Sequence, residues 1–167
     1  MALHLSELID RWRKDTAGTE RLVKVPMLVF EATGDEHSGD AWALTGSASV
    51  GKLEAGHDPM VFLVEKRAGV QNPFTMGVTL GRVETNDVSI DDSSVSRFHA
   101  WLQYDDRTQQ WSLCDADSKN GTFVDNEALG ARQRKVINDG GMIRLGNAHL
   151  RFLLPESVVL RLRMSAR

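Results

Sequence analysis

Cysteine is nearly absent from this chain of 167 residues, which has a single thiol at Cys114. One cysteine can form neither an intramolecular disulfide nor a cluster of thiolate metal ligands. Because Cys114 follows Trp111 and Leu113 in an apolar segment, it is expected to be packed rather than reactive. The lack of disulfides fits a reducing compartment, so we expect a cytoplasmic protein with no metal and no other cofactor.

Long hydrophobic runs and an excess of positive charge are missing as well. No apolar segment approaches the roughly 20 residues that a helix needs to cross a bilayer. The start of the chain carries Glu7, Asp10, Arg11 and Arg13, which argues against a signal peptide. The formal net charge is −3, and the chain has no basic stripe that would match a nucleic-acid backbone. We therefore expect neither a membrane nor a nucleic acid as a partner.

The composition that remains is ordinary for a folded protein, with 41% hydrophobic and 26% charged residues. These fractions permit a hydrophobic core and argue against disorder throughout the chain. The length fits one domain of about 100 to 150 residues with an appendage.

An amphipathic pattern opens the chain, in which four apolar residues recur at helical spacing: Leu5, Leu8, Ile9 and Trp12. Acidic residues come early in this segment and basic residues late, as the helix dipole prefers. The pattern predicts a short helix over residues 4–15 that ends at residues 16–18.

Between this helix and residue 60 the sequence has few periodic signals. The apolar stretch at residues 27–30 could form a strand, and residues 33–59 are predicted to be mostly loop because Gly, Asp, Ser and His are frequent there. Trp42 and Leu44 could form a brief strand within that loop. Trp12 and Trp42 are interpreted as anchors that hold this N-terminal extension on the domain.

From Met60 onward the pattern changes to short alternating runs separated by turn residues. In the last run Leu150, Phe152 and Leu154 alternate with residues on the opposite face, which is the period of a strand and not of a helix. Such repeated runs are typical of an all-β sandwich or barrel. The strands are predicted at residues 61–64, 78–80, 88–90, 100–104, 111–114, 122–124, 142–145 and 150–154.

The last residues are predicted to form a short helix. Pro155 is expected to stop the final strand, and Ser157 could cap a helix that runs through Arg163 and docks on the sandwich through Val158, Val159 and Leu162. The predicted organisation is an N-terminal extension over residues 1–59, an all-β domain over residues 60–155 and a C-terminal tail or helix over residues 156–167.

Three short motifs occur in a fixed order on this all-β pattern: Gly81-Arg82, Ser96-Arg97-Phe98-His99 and Asn120-Gly121-Thr122. Together they resemble the forkhead-associated (FHA) domain, a module that binds phosphothreonine peptides. The resemblance covers roughly residues 60 to 155. It implies a β-sandwich of two antiparallel sheets whose loops converge on the phosphate, and it implies a binding protein rather than an enzyme, with no catalytic residue.

The chemistry of phosphothreonine agrees with the residues in these motifs. A phosphothreonine carries a charge of about −1.5 to −2 and three acceptor oxygens, so its reader needs guanidinium, hydroxyl and amide donors from separate loops. Arg82 can supply the guanidinium, Ser96 the hydroxyl and the backbone near Arg97 an amide N–H. We expect these three residues to bind the phosphate, with Lys119 as a further cation.

The resemblance implies supporting roles for the remaining motif residues. Asn120 is expected to bond the main chain of the bound peptide. His99 is expected to organise the loop of Ser96 instead of touching the phosphate. Gly81, Gly121 and Thr122 are expected to support the site structurally, with Gly121 permitting a tight turn.

Two positions depart from the family pattern. Lys119 occupies a place where the family often has a small hydroxyl residue, and Asp125-Asn126 replaces an Asn-Gly pair. A cation at Lys119 could add to phosphate affinity, and Asp125 could weaken an acidic ligand. We expect these two positions to determine how the ligand specificity of this chain differs from that of its relatives.

Each binding residue also has an ordinary structural interpretation. Arg82 could form a surface salt bridge, Ser96 could be a turn or capping hydroxyl, and Arg97 and Lys119 could be solvated side chains. Asn120 could belong to a hairpin turn that binds no ligand, although the turn and ligand roles can coexist.

Three hypotheses for the function follow. The first is a phosphothreonine-dependent adaptor in Ser/Thr kinase signalling, whose partner is a phosphorylated protein such as a kinase or its substrate. The second is an FHA-like scaffold that binds proteins without needing phosphate. The third is a nucleotide hydrolase, because Gly46 to Lys52 has the glycine and lysine spacing of a P-loop, but Leu53 replaces the hydroxyl residue that would hold magnesium.

Overall fold

The computed structural model describes residues 2–33 and 58–165. The predicted strand at Trp42 and Leu44, the anchor Trp42 and the P-loop-like segment Gly46–Lys52 lie outside the described residues. None of the helices in the described part of the chain is long and apolar enough to cross a membrane.

The described residues form twelve strands and three helices. Strands from the N-terminal segment and from the C-terminal segment lie in the same sheet. Their bounds are β1 Ala2–His4, α1 Leu5–Lys14, α2 Thr16–Leu22, β2 Met27–Thr33, β3 Met60–Leu63, β4 Val78–Gly81, β5 Val88–Ser89, β6 Ala100–Asp105, β7 Gln110–Asp115, β8 Thr122–Val124, β9 Glu127–Leu129, β10 Arg134–Ile137, β11 Met142–Leu145, β12 Ala148–Leu153 and α3 Pro155–Ser165.

Two sheets contain these strands. A seven-stranded sheet has the order β1-β3-β2-β12-β11-β8-β9, and a five-stranded sheet has the order β10-β7-β6-β4-β5. Neighbouring strands are antiparallel except β4 and β5, which pair in parallel. The fold class is therefore the predicted all-β sandwich of two sheets with short terminal helices.

The main core lies between the sheets, where alternating apolar residues of both inner faces meet. Leu80, Leu102, Leu113, Leu145 and Phe152 are all fully buried there. Such burial is the main source of the sandwich's stability, since each large apolar side chain contributes roughly 1.5 to 3 kcal/mol.

A second apolar cluster joins the helices to the outer face of the seven-stranded sheet. Trp12 is 4% exposed in this cluster, as an anchor should be. Val158 and Leu162 of α3 are buried against the same cluster, which agrees with the predicted docking of the C-terminal helix. Cys114 on β7 is also buried, and burial raises the pKa of its thiol, as expected for a packed cysteine.

Several local predictions need correction. The chain does not leave helical structure at residues 16–18, because Asp15 accepts a hydrogen bond from the backbone N–H of Gly18 (2.8 Å) and starts α2. Strands β1, β9 and β10 were not predicted, since they are only three or four residues long and carry little alternation. The strand suggested at residues 27–30 is β2, which lies inside the seven-stranded sheet between β3 and β12.

Candidate functional site

Three loops meet at one end of the sandwich: the β4–β5 loop (residues 82–87), the β5–β6 loop (residues 90–99) and the β7–β8 loop (residues 116–121). Ser96 connects all three. Its carbonyl oxygen accepts the backbone N–H of Arg82 (2.9 Å), and its Oγ accepts the backbone N–H of Lys119 (3.0 Å). The residues of all three motifs are therefore brought to one place.

Gly81 ends β4 at a point where a side chain has no room. A Cβ atom there would lie 2.3 Å from the carbonyl oxygen of Arg97 and 2.6 Å from Nδ2 of Asn86. Asn86 itself donates to that carbonyl oxygen (2.6 Å), so the crowding comes from the contact that joins the β4–β5 and β5–β6 loops. Glycine permits this close approach, which agrees with a supporting role for Gly81.

His99 is fully buried beneath the loops and links two of them. Its Nδ1 accepts the backbone N–H of Ser96 (2.9 Å), and its Nε2 lies 3.0 Å from the carbonyl oxygen of Gly121. Since an N–H must face the carbonyl oxygen and a lone pair must face the amide, the ring is the neutral tautomer with the proton on Nε2. Burial lowers the pKa of His99, which keeps the ring neutral.

Gly121 has a φ of +84°, in the left-handed region that favours glycine. Its carbonyl oxygen also accepts the backbone N–H of Gly146 (3.0 Å), so this turn is fixed from two sides. The tight turn expected at Gly121 is present.

Asp115 organises the β7–β8 loop, and the sequence analysis did not single it out. Its Oδ1 accepts the hydroxyls of Ser118 and Thr122, both at 2.6 Å. Its Oδ2 accepts the backbone N–H groups of Asp117 (2.8 Å) and Ser118 (3.1 Å). Burial raises the pKa of Asp115, but the hydrogen bonds from Ser118, Thr122 and the backbone outweigh that effect and lower the pKa overall. Thr122 is fully buried, and the bond of its hydroxyl to Asp115 is consistent with the supporting role expected for it.

Ser94 is a second organising residue that the sequence analysis missed. Its carbonyl oxygen accepts Nδ2 of Asn120 (2.7 Å), and its Oγ accepts the backbone N–H of Asn147 (2.8 Å). The hydroxyl of Ser94 in turn donates to Oδ1 of Asp92 (2.5 Å). An Asp-x-Ser pattern with both residues bonded in one turn is a local signal that could have indicated this loop.

A groove of about 1100 Å³ runs between these loops and the β3–β4 loop, residues 64–77. Three cationic side chains line it, those of Arg82, Arg97 and Lys119, together with the carboxylate of Asp117. All three cations are exposed, and none of their charged groups forms a hydrogen bond or an ion pair with another described residue. Ser96 also lines the groove, so four of the five predicted binding residues share it.

Asn120 and Asp125 are not among the residues that line the groove. Asn120 is exposed beside the groove without lining it, and its amide is bonded to Ser94. Asp125 and Asn126 form the turn between β8 and β9 with φ values of +51° and +66°, and Oδ1 of Asp125 accepts the backbone N–H of Met142 (2.9 Å). Asp125 does not line the groove, so its effect on an acidic ligand stays a prediction.

A buried carboxylate fixes the β3–β4 loop, which forms the remaining wall of the groove. Oδ2 of Asp87 accepts the backbone N–H of Thr79 (2.9 Å), the ammonium of Lys66 (2.8 Å) and Nδ2 of Asn72 (3.2 Å). Oδ1 of Asp87 accepts the backbone N–H of Arg67 (3.0 Å). Burial raises the pKa of Asp87, but the hydrogen bonds, that of Lys66 foremost, lower it overall.

The arrangement suits an anion bound from solvent. Three cations and a serine hydroxyl face one groove, and the described residues 2–33 and 58–165 contain no group of three or more His, Cys, Asp or Glu side chains that could hold a metal ion. Guanidinium and hydroxyl donors on separate loops are what a phosphate with several acceptor oxygens requires.

Comparisons with known proteins agree with this geometry. A family model described as the FHA domain matches residues 78–146, which contain all three motifs. The oxoglutarate dehydrogenase inhibitor of Corynebacterium glutamicum is 32% identical over 123 residues, which cover 71% of this chain and 78% of the relative. The transcriptional regulatory protein EmbR of Mycobacterium tuberculosis is 30% identical over 94 residues, which are 56% of this chain but only 23% of the regulator.

A solved structure supports the same fold. The FHA domain of a Chlamydia trachomatis protein superposes with a TM-score of 0.51 at 15% identity, over 77% of this chain and 95% of that chain. On the family model and the similarity along most of both chains to the C. glutamicum protein, this chain belongs to the FHA domain family.

Proposed function

We propose that this chain is a phosphothreonine-dependent protein-binding adaptor in Ser/Thr kinase signalling. The observation that carries the proposal is the groove lined by Ser96 and by Arg82, Arg97 and Lys119, whose charged groups have no partner among the described residues. The similarity to a protein named as an inhibitor of oxoglutarate dehydrogenase fits a protein that acts by binding another and not by catalysis.

Arg82 is the main reader of the phosphate in this proposal. Its backbone is held by Ser96, whereas its guanidinium is exposed on the groove and can offer two parallel N–H donors to one phosphate. A charge-assisted bond of this kind contributes roughly 1.5 to 3 kcal/mol.

Ser96 is prepared to donate its hydroxyl proton. Because its Oγ already accepts the backbone N–H of Lys119, the hydroxyl is polarised and its hydrogen is available to an outside acceptor. No described residue accepts the backbone N–H of Arg97, which can therefore act as a further donor. The ammonium of Lys119 adds a positive charge to the same groove.

Asn120 and the supporting residues complete the proposed site. One N–H of the Asn120 amide is used on Ser94, which leaves a second N–H and the carbonyl oxygen for the main chain of a bound peptide. Gly81, His99 and Gly121 keep the loops in the geometry that these contacts need. Three or four charge-assisted bonds suffice for about micromolar affinity once the entropy of association is subtracted.

The experiment is a titration with paired peptides that differ only in Thr against phospho-Thr. We expect about micromolar binding of the phosphorylated peptide and no measurable binding of the other. Arg82→Ala should weaken binding roughly 30- to 150-fold, the loss that corresponds to about 2 to 3 kcal/mol. The control is Arg107→Ala, which removes an exposed arginine in the β6–β7 turn, away from the groove.

Equal affinity for the two peptides would instead favour the phosphate-independent scaffold. Phospho-dependent binding that Arg82→Ala leaves intact would refute the assignment of Arg82. The partner, in this proposal, is a protein phosphorylated by a Ser/Thr kinase, or the kinase itself.

A further inference from the structure

Three aromatic rings form a continuous apolar surface at the edge of the groove, named the aromatic shelf here and made of Phe74, Phe98 and Trp101. The ring centroid of Phe74 lies 5.3 Å from that of Phe98 and 5.2 Å from that of Trp101. The centroids of Phe98 and Trp101 are 6.1 Å apart. Phe74 and Phe98 both line the groove. Phe98 remains 39% exposed although it packs against two other rings.

Polar bonds hold Phe74 in place from both sides. Its backbone N–H donates to Oδ1 of Asn72 (3.1 Å), and its carbonyl oxygen accepts the ammonium of Lys66 (2.8 Å). Both Asn72 and Lys66 also donate to Oδ2 of Asp87, the buried carboxylate that fixes the β3–β4 loop. The shelf is therefore a preorganised surface, and a ligand that binds it does not have to order this loop.

The shelf combines two residues of the matched family region, Phe98 and Trp101, with one residue that lies before it, Phe74. Phe74 and the residues that pin it, Lys66 and Asn72, precede the residues 78–146 that the family model matches. An aromatic surface that is rigid and partly exposed offers a large apolar contact at low entropic cost.

The position of the shelf limits what can reach it. Phe98 is two residues from Ser96, so their Cα atoms are separated by at most about 7 Å. An extended peptide advances about 3.3 Å per residue. A ligand whose phosphate contacts Ser96 therefore brings only side chains within roughly four residues of the phosphothreonine onto the shelf.

We propose that the aromatic shelf selects phosphothreonine peptides that carry a large aliphatic or aromatic side chain within four residues of the phosphothreonine. This inference rests on the proposed function and specifies its ligand. The continuity of the shelf with the phosphate groove favours a side chain of the same peptide as its occupant. Such a side chain would leave water and pack against the rings of Phe74 and Phe98.

The test uses a phosphothreonine peptide with alanine at every flanking position, and variants in which one leucine or phenylalanine is moved through the four positions on each side. The measured quantity is the ratio of each variant's affinity to that of the all-alanine peptide. We expect a ratio on the order of ten at one or two positions, since burying such a side chain even in part is favourable to that extent.

Protein variants then assign the preference to the shelf. Phe98→Ala should reduce the ratio to near one, and Phe98→Leu should retain part of it. The matched control is Tyr104→Ala, because Tyr104 is 38% exposed on the same strand as Trp101 but contacts Trp111 outside the groove. It should leave the ratio unchanged. Urea unfolding of each variant checks that the domain is folded.

Four results would overturn the inference. Phospho-dependent binding with no preference at any position would refute the selective role of the shelf but leave the proposed function intact. An undiminished ratio in Phe98→Ala would place the preference elsewhere. A concentration-dependent dimer in sedimentation velocity that Phe98→Ala abolishes would make a second copy of the chain the occupant. Failure of all peptides to bind in a phosphate-dependent manner would remove the proposed function as well.

Discussion

Replacing Asp115 tests whether one buried carboxylate holds the β7–β8 loop. Asp115→Ala removes the acceptor of four hydrogen bonds, two from hydroxyls and two from backbone N–H groups. Net hydrogen bonds to a charged group contribute roughly 1.5 to 3 kcal/mol each, but bonds to one group are not additive. We expect a loss of about 3 to 5 kcal/mol in the free energy of unfolding, the range found when a buried polar network is broken.

Asp115→Asn is the milder companion of that variant. Its amide oxygen can accept the two backbone N–H groups, while its NH₂ donates to the hydroxyls of Ser118 and Thr122, which can reverse their roles. Only the charge is lost, so we expect a decrease of about 1 to 2 kcal/mol. Asp106→Ala, at an exposed turn position, should change stability by less than about 0.5 kcal/mol.

The pH dependence supplies an independent check. The folded-state pKa of Asp115 is below that of the unfolded chain, so its contribution is fully present above the unfolded pKa of about 3.9 and is lost as the pH falls through the lowered folded value. The stability difference between the wild type and Asp115→Asn should therefore shrink as the pH falls below about 4.

Urea and thermal unfolding followed by tryptophan fluorescence would measure these differences. For a chain of this size Asp115→Ala should lower the Tm by roughly 10 °C or more. Equal stability of Asp115→Ala and Asp115→Asn would refute the argument, because only the alanine leaves the donors without an acceptor. A difference between wild type and Asp115→Asn that does not depend on pH would refute the role of the charge.

Three further predictions concern the loops around the groove. Gly81→Ala should destabilise the chain by about 2 kcal/mol or more in urea unfolding, because its Cβ would meet the carbonyl oxygen of Arg97; the open position Gly69, where only the positive φ opposes a side chain, should cost less. Long-range ¹H–¹⁵N NMR spectra should show the proton of His99 on Nε2, with the ring still neutral at pH values just below 6.5, where an unperturbed histidine becomes protonated. The contribution of His99 to stability should be lost as the pH falls through its lowered pKa. A neutral ring with its proton on Nδ1 would contradict this prediction. Asp87→Ala should increase amide exchange throughout the β3–β4 loop, whereas exchange confined to Arg67 and Thr79 would show that the loop does not depend on the carboxylate.

The fold class was predictable because several strands, among them β6, β8, β11 and β12, alternate between buried and more exposed residues. Leu150 and Phe152 of β12, for example, are fully buried, as their period of two requires. The motifs also placed Arg82 and Ser96 correctly around a shared groove, since a short motif fixes the local backbone that carries its side chains. Family membership followed from the same residues.

The residues that fix the loops could not be predicted from pattern. Asp87 and Asp115 are charged residues at strand ends, where a sequence gives no reason to expect burial. Their burial depends on donors that arrive from other segments, such as Lys66 and Thr122.

The pairing of β2 with β12 has a consequence for how the chain acquires its structure. Met27 lies opposite Leu153, so β2 cannot complete its pairing in the sheet until β12, more than 100 residues later, is available. Pairings between distant segments slow folding, because the loop between them must close before they contribute. During synthesis β2 can pair with β3, but the seven-stranded sheet stays divided until β12 has left the ribosome. We expect the apolar residues of β2 and β3 to remain the most exposed to chaperones over that interval, and the sandwich to form only after β12 has been translated.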